Sequence, residues 1–326
     1  MKTAFYEMYG PPEVVQLREV EKPIPKDSEV LIKIHSATVT SGDWRVRSLI
    51  VPAGFGLIMR LVFGISKPRQ PVLGSELAGV VESIGNDVSQ FKVGDHVFAF
   101  SDTAMGCHAE YKCMSQNALI ALKPPNISFD EAAALSFGGT TALDFLRRAR
   151  LKPAQKVLVN GASGGVGTAM VQLASHFGAE VTAVCSNANV ALVRSLGASH
   201  VIDYAQQDFT RNGETYDVIA DVVGTAPFAR CKGSLKKNGC LLMVLAGLPD
   251  MLQIPWIAMT NSRRVIAGPV TSRVEDLRFL AELAQAGKFK PVIDRRYPFA
   301  QIVDAHRYVD TGRKKGNVVL KMVHDG

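Results

Sequence analysis

The chain has 326 residues, 47% of them hydrophobic and 21% charged, which allows two domains with cores of their own and excludes a disordered or fibrous protein. No apolar run reaches the ~18 residues of a membrane span, and residues 1–10 lack the basic-then-apolar pattern of a secretory signal. The net charge of +7 is modest for this length, and its brief basic clusters at 147–148, 263–264 and 313–315 carry no interleaved aromatics, which argues against a nucleic-acid surface. Five cysteines, Cys107, Cys113, Cys185, Cys231 and Cys240, form no CxxC pair. They fit a reducing compartment rather than a disulfide framework, so a cytoplasmic protein without membrane attachment is expected.

In chain order, short alternating runs at 3–6, 14–18 and 30–35 are punctuated by Pro11-Pro12, Pro23 and Pro25. They predict an antiparallel, β-rich start. Residues 73–84 and 91–100 continue it, with Gly74, Gly79, Gly85 and Gly94 suited to the turns and bulges of a small barrel-like sheet. A further strand is expected at 109–113. Between these runs, residues 48–71 contain Leu57, Ile58, Leu61 and Val62, which would share one face of a short helix. That face has three open uses: burial on its own domain, a hydrophobic flap over a substrate pocket, or a membrane surface. The last is disfavoured by the few basic residues.

From Pro124 the texture changes. Ser128 followed by Glu131 reads as a capping box, and helical text runs from 131 towards 150 with Gly138-Gly139 inside it. Strands expected at 156–160, 180–185, 200–202, 216–221, 241–246 and 265–266 alternate with helices at 166–177 and 188–196. This pattern predicts an α/β fold with a doubly wound parallel sheet. The tail offers a helix at 274–286, a second at 302–308 and a strand at 318–322. These cannot bury themselves, so they are expected to complete the N-terminal domain. The expected division is 1–123 with 267–326, and 124–266.

Residues 157–167 read VLVNGASGGVG, a buried strand running into Gly161, Gly164, Gly165 and Gly167 and then into an apolar helix. This order suits a pyrophosphate, since the glycines admit phosphate oxygens to backbone N–H groups at a helix N-terminus. Ser163, Gly164, Gly165 and Val166 are therefore candidate nucleotide contacts. An NAD site would show an acid at the end of the next strand. Here stand Cys185-Ser186-Asn187, and a hydroxyl there suits a 2′-phosphate, so NADPH is the expected cofactor. Arg194 is a candidate for its positive charge, or lies on a solvated helix face. Tyr204 packs on the adenosine end, or is a half-buried structural residue. Thr141, after glycines that a helix tolerates poorly, is read as a donor on the nicotinamide side, with back-bonding inside the helix as the alternative.

Seven isolated histidines, His35, His96, His108, His176, His200, His306 and His324, form no ligand cluster, so no metal is expected. Ser163 lies in GASGG rather than in a nucleophile elbow, which favours a phosphate contact.

These blocks together resemble the medium-chain dehydrogenase/reductase superfamily, in its zinc-free quinone oxidoreductase and enone reductase branch. The resemblance runs from GPPEVVQLREVEKPIPKDSEVLIKI through GSELAGVVESIGNDVSQFKVGDHVFAF, GTTAL, NGASGGVG and YDVIADVVG to KKGNVVLKM. It implies a GroES-like β-barrel-type catalytic domain, an inserted Rossmann domain, an active site in the cleft between them, and a homodimer. Thr40-Ser41 and Gly74-Ser75-Glu76 stand where zinc-dependent relatives carry their Cys and His ligands, and no four-Cys lobe is present. Thr40 stands where the branch often has Asn, which implies a hydrogen bond to a developing enolate. Asp43 and Trp44 shape the pocket, or form a structural turn with a packed indole. Cofactor contacts are also implied at Ala246, at Val270, Thr271 and Ser272, and at Asn317.

The implied reaction is hydride transfer from NADPH to a small hydrophobic quinone or α,β-unsaturated carbonyl compound without metal. The alternatives are a zinc-independent NADP-linked alcohol or ketone oxidoreductase and a non-catalytic NADPH-binding sensor.

Overall fold

The structure, a computed structural model, describes residues 1–323; His324 lies outside the described residues. The chain divides into two compact units, one of Met1–Val51, Gly56–Phe137 and the tail from Arg273, the other of Pro52–Phe55 and Gly138–Ser272.

The first unit begins with an antiparallel pair, β1 (Lys2–Phe5) and β2 (Gln16–Glu19). Its spine is β3 (Glu29–Val39), where Val30, Ile32 and Ile34 turn alternate side chains into the core, the period-2 pattern of a pleated strand. Helices α1 (Ser41–Ser48) and α2 (Gly56–Phe63) follow, then β4 (Glu76–Ile84), β5 (His96–Phe100), β6 (Tyr111–Ser115), β7 (Ile120–Leu122) and α3 (Phe129–Ala133). Antiparallel pairing joins β3 to β4 and β6, β4 to β5, and β5 to β7. Ser128 and Glu131 form the expected capping box of α3.

Of the uses open to the apolar face at 57–62, burial on its own domain is not the one taken. In α2 the residues packed on the core are Met59 and Phe63, one turn apart. Leu57, Ile58, Leu61 and Val62 are 70%, 42%, 51% and 50% exposed.

Helix α4 (Ser136–Ala149) carries the chain into the second unit. There β8 (Lys156–Asn160), α5 (Gly165–His176), β9 (Glu180–Cys185), α6 (Val190–Ser195), β10 (His200–Asp203), β11 (Tyr216–Asp221), α7 (Phe228–Cys231), β12 (Leu235–Met243), α8 (Leu248–Leu252), α9 (Ile254–Thr260) and β13 (Arg264–Ile266) follow in turn. The six strands form one parallel sheet in the order β10-β9-β8-β11-β12-β13. The order reverses between β8 and β11, and the carboxyl ends of strands at such a switch point are where a doubly wound sheet binds ligands. Gly138 of α4 has a packing reason: a Cβ there would sit 2.6 Å from the Gly165 carbonyl oxygen.

After α10 (Val274–Gln285) come β14 (Ile293–Pro298), α11 (Ile302–Asp310) and β15 (Asn317–Lys321). β15 pairs antiparallel with β3, and β14 parallel with β15. Ile302, Ala305, Val309, Val318 and Leu320 enter the same core as β3 and β4. The tail thus finds its apolar partner in the first unit.

Candidate functional site

In the second unit, β8 ends at Asn160 and the chain turns through Gly161, whose φ of +86° suits glycine and where a Cβ would meet Val223 at 2.4 Å. Gly164 is the N-cap of α5 and no side chain caps that helix. A Cβ on Gly164 would meet nothing closer than 3.8 Å, so the backbone there lies open. Uncapped N–H groups of a twelve-residue helix behind an open glycine fit a pyrophosphate, by hydrogen bonding and by the helix dipole. Asn160 Nδ2 donates to Asp221 Oδ1 (3.0 Å) and to Thr225 Oγ1 (3.0 Å), and Asp221 accepts the N–H groups of Val223, Gly224 and Ala226. This buried carboxylate, with no role expected from the sequence, holds the loop after β11 beside the glycine turn.

Ser163 and Ser186 are half-buried and their hydroxyls meet at one residue, the buried Asn189, whose Nδ2 donates to Ser163 Oγ (3.0 Å) and Ser186 Oγ (3.2 Å). Burial pushes the Cys185 thiol up to about 11, so it is neutral near pH 7. Asp203, beside Cys185 in the sheet, accepts the Ala205 N–H on its own loop. Arg194 is exposed on α6, and Tyr204 is 64% exposed at the end of β10. Thr141 and Ala246 are buried, Val166, Val270 and Ser272 are half-buried, and Thr271 is exposed.

In the first unit, the chemistry-bearing residues are committed to one another. Thr40 caps α1: its Oγ1 accepts from Asp43 N (3.1 Å) and donates to Asp43 Oδ2 (2.6 Å), while Thr40 N donates to the same oxygen (2.7 Å). Asp43 Oδ1 accepts from Gly74 N (2.8 Å). Thr40, expected to donate a hydrogen bond to an enolate, here directs its one hydroxyl proton at a fully buried carboxylate. Both oxygens of Asp43 accept hydrogen bonds from within the first unit. Trp44 packs its indole on the core, and the Arg45 guanidinium lies 4.9 Å from its ring centroid. Asn317 is buried and its Nδ2 donates to the Val292 carbonyl (3.1 Å). That bond anchors the start of β15 with one of the two Nδ2 protons.

Glu76 was not singled out in the sequence, yet it is fully buried, with Oε2 accepting from Thr38 Oγ1 (2.5 Å) and Oε1 from Phe137 N (2.5 Å). Burial pushes its carboxyl up from 4.5 to about 7, against the hydrogen bonds from Phe137 and Thr38, and the Asp43 carboxylate adds to the rise. Folded Glu76 keeps a proton that the unfolded chain releases near 4.5, so stability falls as pH rises from about 4.5 to about 7. Glu76→Gln is expected to flatten this fall. Urea unfolding at pH 5 and pH 8 should show the wild type losing up to about 3 kcal/mol more than the variant across that span. Parallel pH profiles would refute the assignment.

Nearby, His108 Nε2 bonds the Thr38 carbonyl oxygen (2.8 Å), and its ring lies 5.6 Å from that of His306. Burial holds His306 well below its usual range, aided by His108 and the Arg47 charge. Among the described residues, no group of three or more His, Cys, Asp and Glu is placed to hold a metal ion, and no helix is long and apolar enough to cross a membrane.

Comparison with known proteins places both units. Residues 26–128 match the family described as alcohol dehydrogenase GroES-like domain, and residues 196–320 that described as zinc-binding dehydrogenase. The chain is 35% identical to 2-methylene-furan-3-one reductase of Solanum lycopersicum, over 98% of this chain and 79% of that protein. It is 33% identical to the chloroplastic NADPH-dependent alkenal/one oxidoreductase of Arabidopsis thaliana, with the same coverage. The solved quinone oxidoreductase of Coxiella burnetii superposes with a TM-score of 0.87 at 30% identity, over 99% of each chain. With a GroES-like unit completed by its own C-terminal strand, a Rossmann unit between, and this likeness along nearly its whole length, the chain belongs to the medium-chain dehydrogenase/reductase superfamily, among its quinone-oxidoreductase-like members.

Proposed function

We propose that the protein is an NADPH-dependent reductase of quinones or α,β-unsaturated carbonyl compounds that works without metal. The observation that carries the reading is the uncapped, glycine-fronted N-terminus of α5, with the chain leaving β9 through Cys185, Ser186 and Asn187 rather than through an acid. The relatives named above, an enone-type reductase and an NADPH-dependent alkenal/one oxidoreductase, support the substrate class.

Bound NADPH would supply a hydride to the electron-poor carbon of the acceptor, and water the matching proton. The residues of this chain hold the phosphates: Gly164, Gly165 and Val166 by their backbone, and Ser163 and Ser186 by their hydroxyls. Thr141, Ala246, Val270, Thr271 and Ser272 belong to the same proposed cofactor set, with Tyr204 and Arg194 at its solvent side. Thr40 and Asp43 position the turn that carries Trp44. Thr40 and Ser75 offer neutral hydroxyls where zinc needs thiolate or imidazole. A conjugated acceptor needs no Lewis acid to the degree a simple ketone does, since its charge spreads onto oxygen.

A homodimer belongs to this reading. β13 is paired only with β12 among the described strands, and α8 and α9 expose Leu252, Trp256 and Met259 at 71%, 68% and 83%. Five free thiols fit the cytoplasm.

The test is NADPH oxidation followed across quinones, enals, enones and simple ketones, with and without a chelator. Consumption with quinones or enones, unchanged by the chelator, is expected. Turnover confined to secondary alcohols with NADP⁺ would replace this reading with the alcohol oxidoreductase, and tight binding without turnover would leave a sensor.

A further inference from the structure

Asn189 closes a short 3-10 turn after β9, where its backbone N–H donates to the Ser186 carbonyl (2.9 Å). Its side chain does something the sequence pattern does not announce. Nδ2 sends one N–H to Ser163 Oγ (3.0 Å), from the glycine turn, and the other to Ser186 Oγ (3.2 Å), from the end of β9. Oδ1 is buried without a partner among the described residues. This amide orientation is the physically favoured one. Turned over, the serines would both donate to the oxygen and two buried N–H groups would be stranded in place of one carbonyl, and each stranded group costs about 1–3 kcal/mol.

The consequence concerns the serines. A hydroxyl that accepts a hydrogen bond still owns its proton. With their oxygens held by one amide nitrogen, Ser163 and Ser186 are left with two O–H donors on half-buried side chains beside the open turn. An acceptor-only anion suits such a pair. The ribose edge of a Rossmann cofactor is read at the end of the second strand, which is where Ser186 stands.

We propose that Asn189 is a positioning residue for cofactor specificity: it holds Ser163 and Ser186 as paired donors to the 2′-phosphate of NADPH. The proposal rests on the reading that NADPH binds at this turn.

Asn189→Asp is nearly isosteric but accepts only, so both serines must turn their protons onto it, and it adds negative charge. Full-length protein is titrated with NADPH, with NADH, and with adenosine 2′,5′-bisphosphate as a probe free of chemistry. The variant is expected to lose about tenfold or more in affinity for NADPH and for the bisphosphate, equivalent to at least about 1.4 kcal/mol. NADH affinity should change less than about threefold. Ser163→Ala and Ser186→Ala should each show the same selective loss, and they carry the test if the aspartate variant does not fold. Equal losses for NADPH and NADH, or an unchanged ratio, in a protein whose wild type prefers NADPH overturn the role of Asn189 alone. A wild type that binds NADH as tightly as NADPH overturns the cofactor reading and this inference with it.

Discussion

Gly167→Ala should unfold the nucleotide-binding unit at markedly lower urea concentration and abolish measurable cofactor binding at micromolar protein. A Cβ at this position would lie 2.1 Å from the Gly161 carbonyl oxygen and 2.8 Å from the Ala162 carbonyl carbon. Both are backbone atoms of the glycine turn, so no side chain can swing aside. Either α5 moves away from β8 or the turn opens, and each displaces the N–H groups that face the phosphates. Overpacking of this kind costs about 1–3 kcal/mol, more than the gain of up to ~1 kcal/mol from alanine in a helix. Gly164→Ala is the control. Its Cβ would meet nothing within 3.8 Å, so stability should move by less than about 0.5 kcal/mol. If the two variants melt together, the close approach of α5 to the turn is not what makes Gly167 necessary.

Asp310→Ala should be among the most damaging substitutions in the first unit. Arg47 on α1 is fully buried, its Nη2 lies 2.6 Å from both carboxylate oxygens of Asp310 at the end of α11, and its Nη1 donates to the Gly10 carbonyl (2.8 Å). Removing the carboxylate leaves a guanidinium in the interior, with a cost of about 3–5 kcal/mol. Arg47→Met combined with Asp310→Leu removes both charges and should recover much of that loss, because the desolvation penalty goes with the pair. Urea unfolding of the two variants measures the difference. A single variant within about 1 kcal/mol of wild type would mean that solvent reaches the guanidinium once Asp310 is gone.

The alternation of strand and helix after residue 150 was legible because the central parallel strands are buried on both faces and read as short apolar runs, as in KVLVN and YDVIAD. Six such runs with helical text between them leave few topologies, and right-handed crossovers prune the rest. The glycine turn was legible for a related reason: close backbone approach admits one residue type, so the chemistry is written in the composition of eleven consecutive residues. The tail was placed by a burial argument that needed no geometry, and β15 on β3 meets it.

Side-chain roles were less legible. Thr40 and Asp43 are three residues apart, so their capping pair was open to a local reading, yet its strength depends on Gly74 N, supplied by a turn 31 residues from Asp43. The apolar face at 57–62 was left with several uses open, and burial on its own domain is the one the structure does not show. Periodicity identified a helix but not its buried side, because Met59 and Phe63 are as apolar as their neighbours and only the position of the core separates them. Gly138-Gly139 signalled a close approach, and for Gly138 the approaching group is the Gly165 carbonyl.

By itself, the sequence determined the class of fold, the phosphate turn, the lack of an acid after β9 and the hydroxyls at Thr40 and Ser75. All of these are local: backbone sterics, strand burial and the presence or absence of a charge act within a few residues. Only the tertiary structure decided which hydroxyls keep a proton to give. Thr40 directs its proton at Asp43, whereas Ser163 and Ser186 accept from Asn189 and have theirs free to donate. A hydroxyl has one proton, and whether it is free depends on neighbours brought together by the fold. Ser163 and Asn189 are 26 residues apart in the chain, joined because β8 and β9 are adjacent strands with their carboxyl ends side by side.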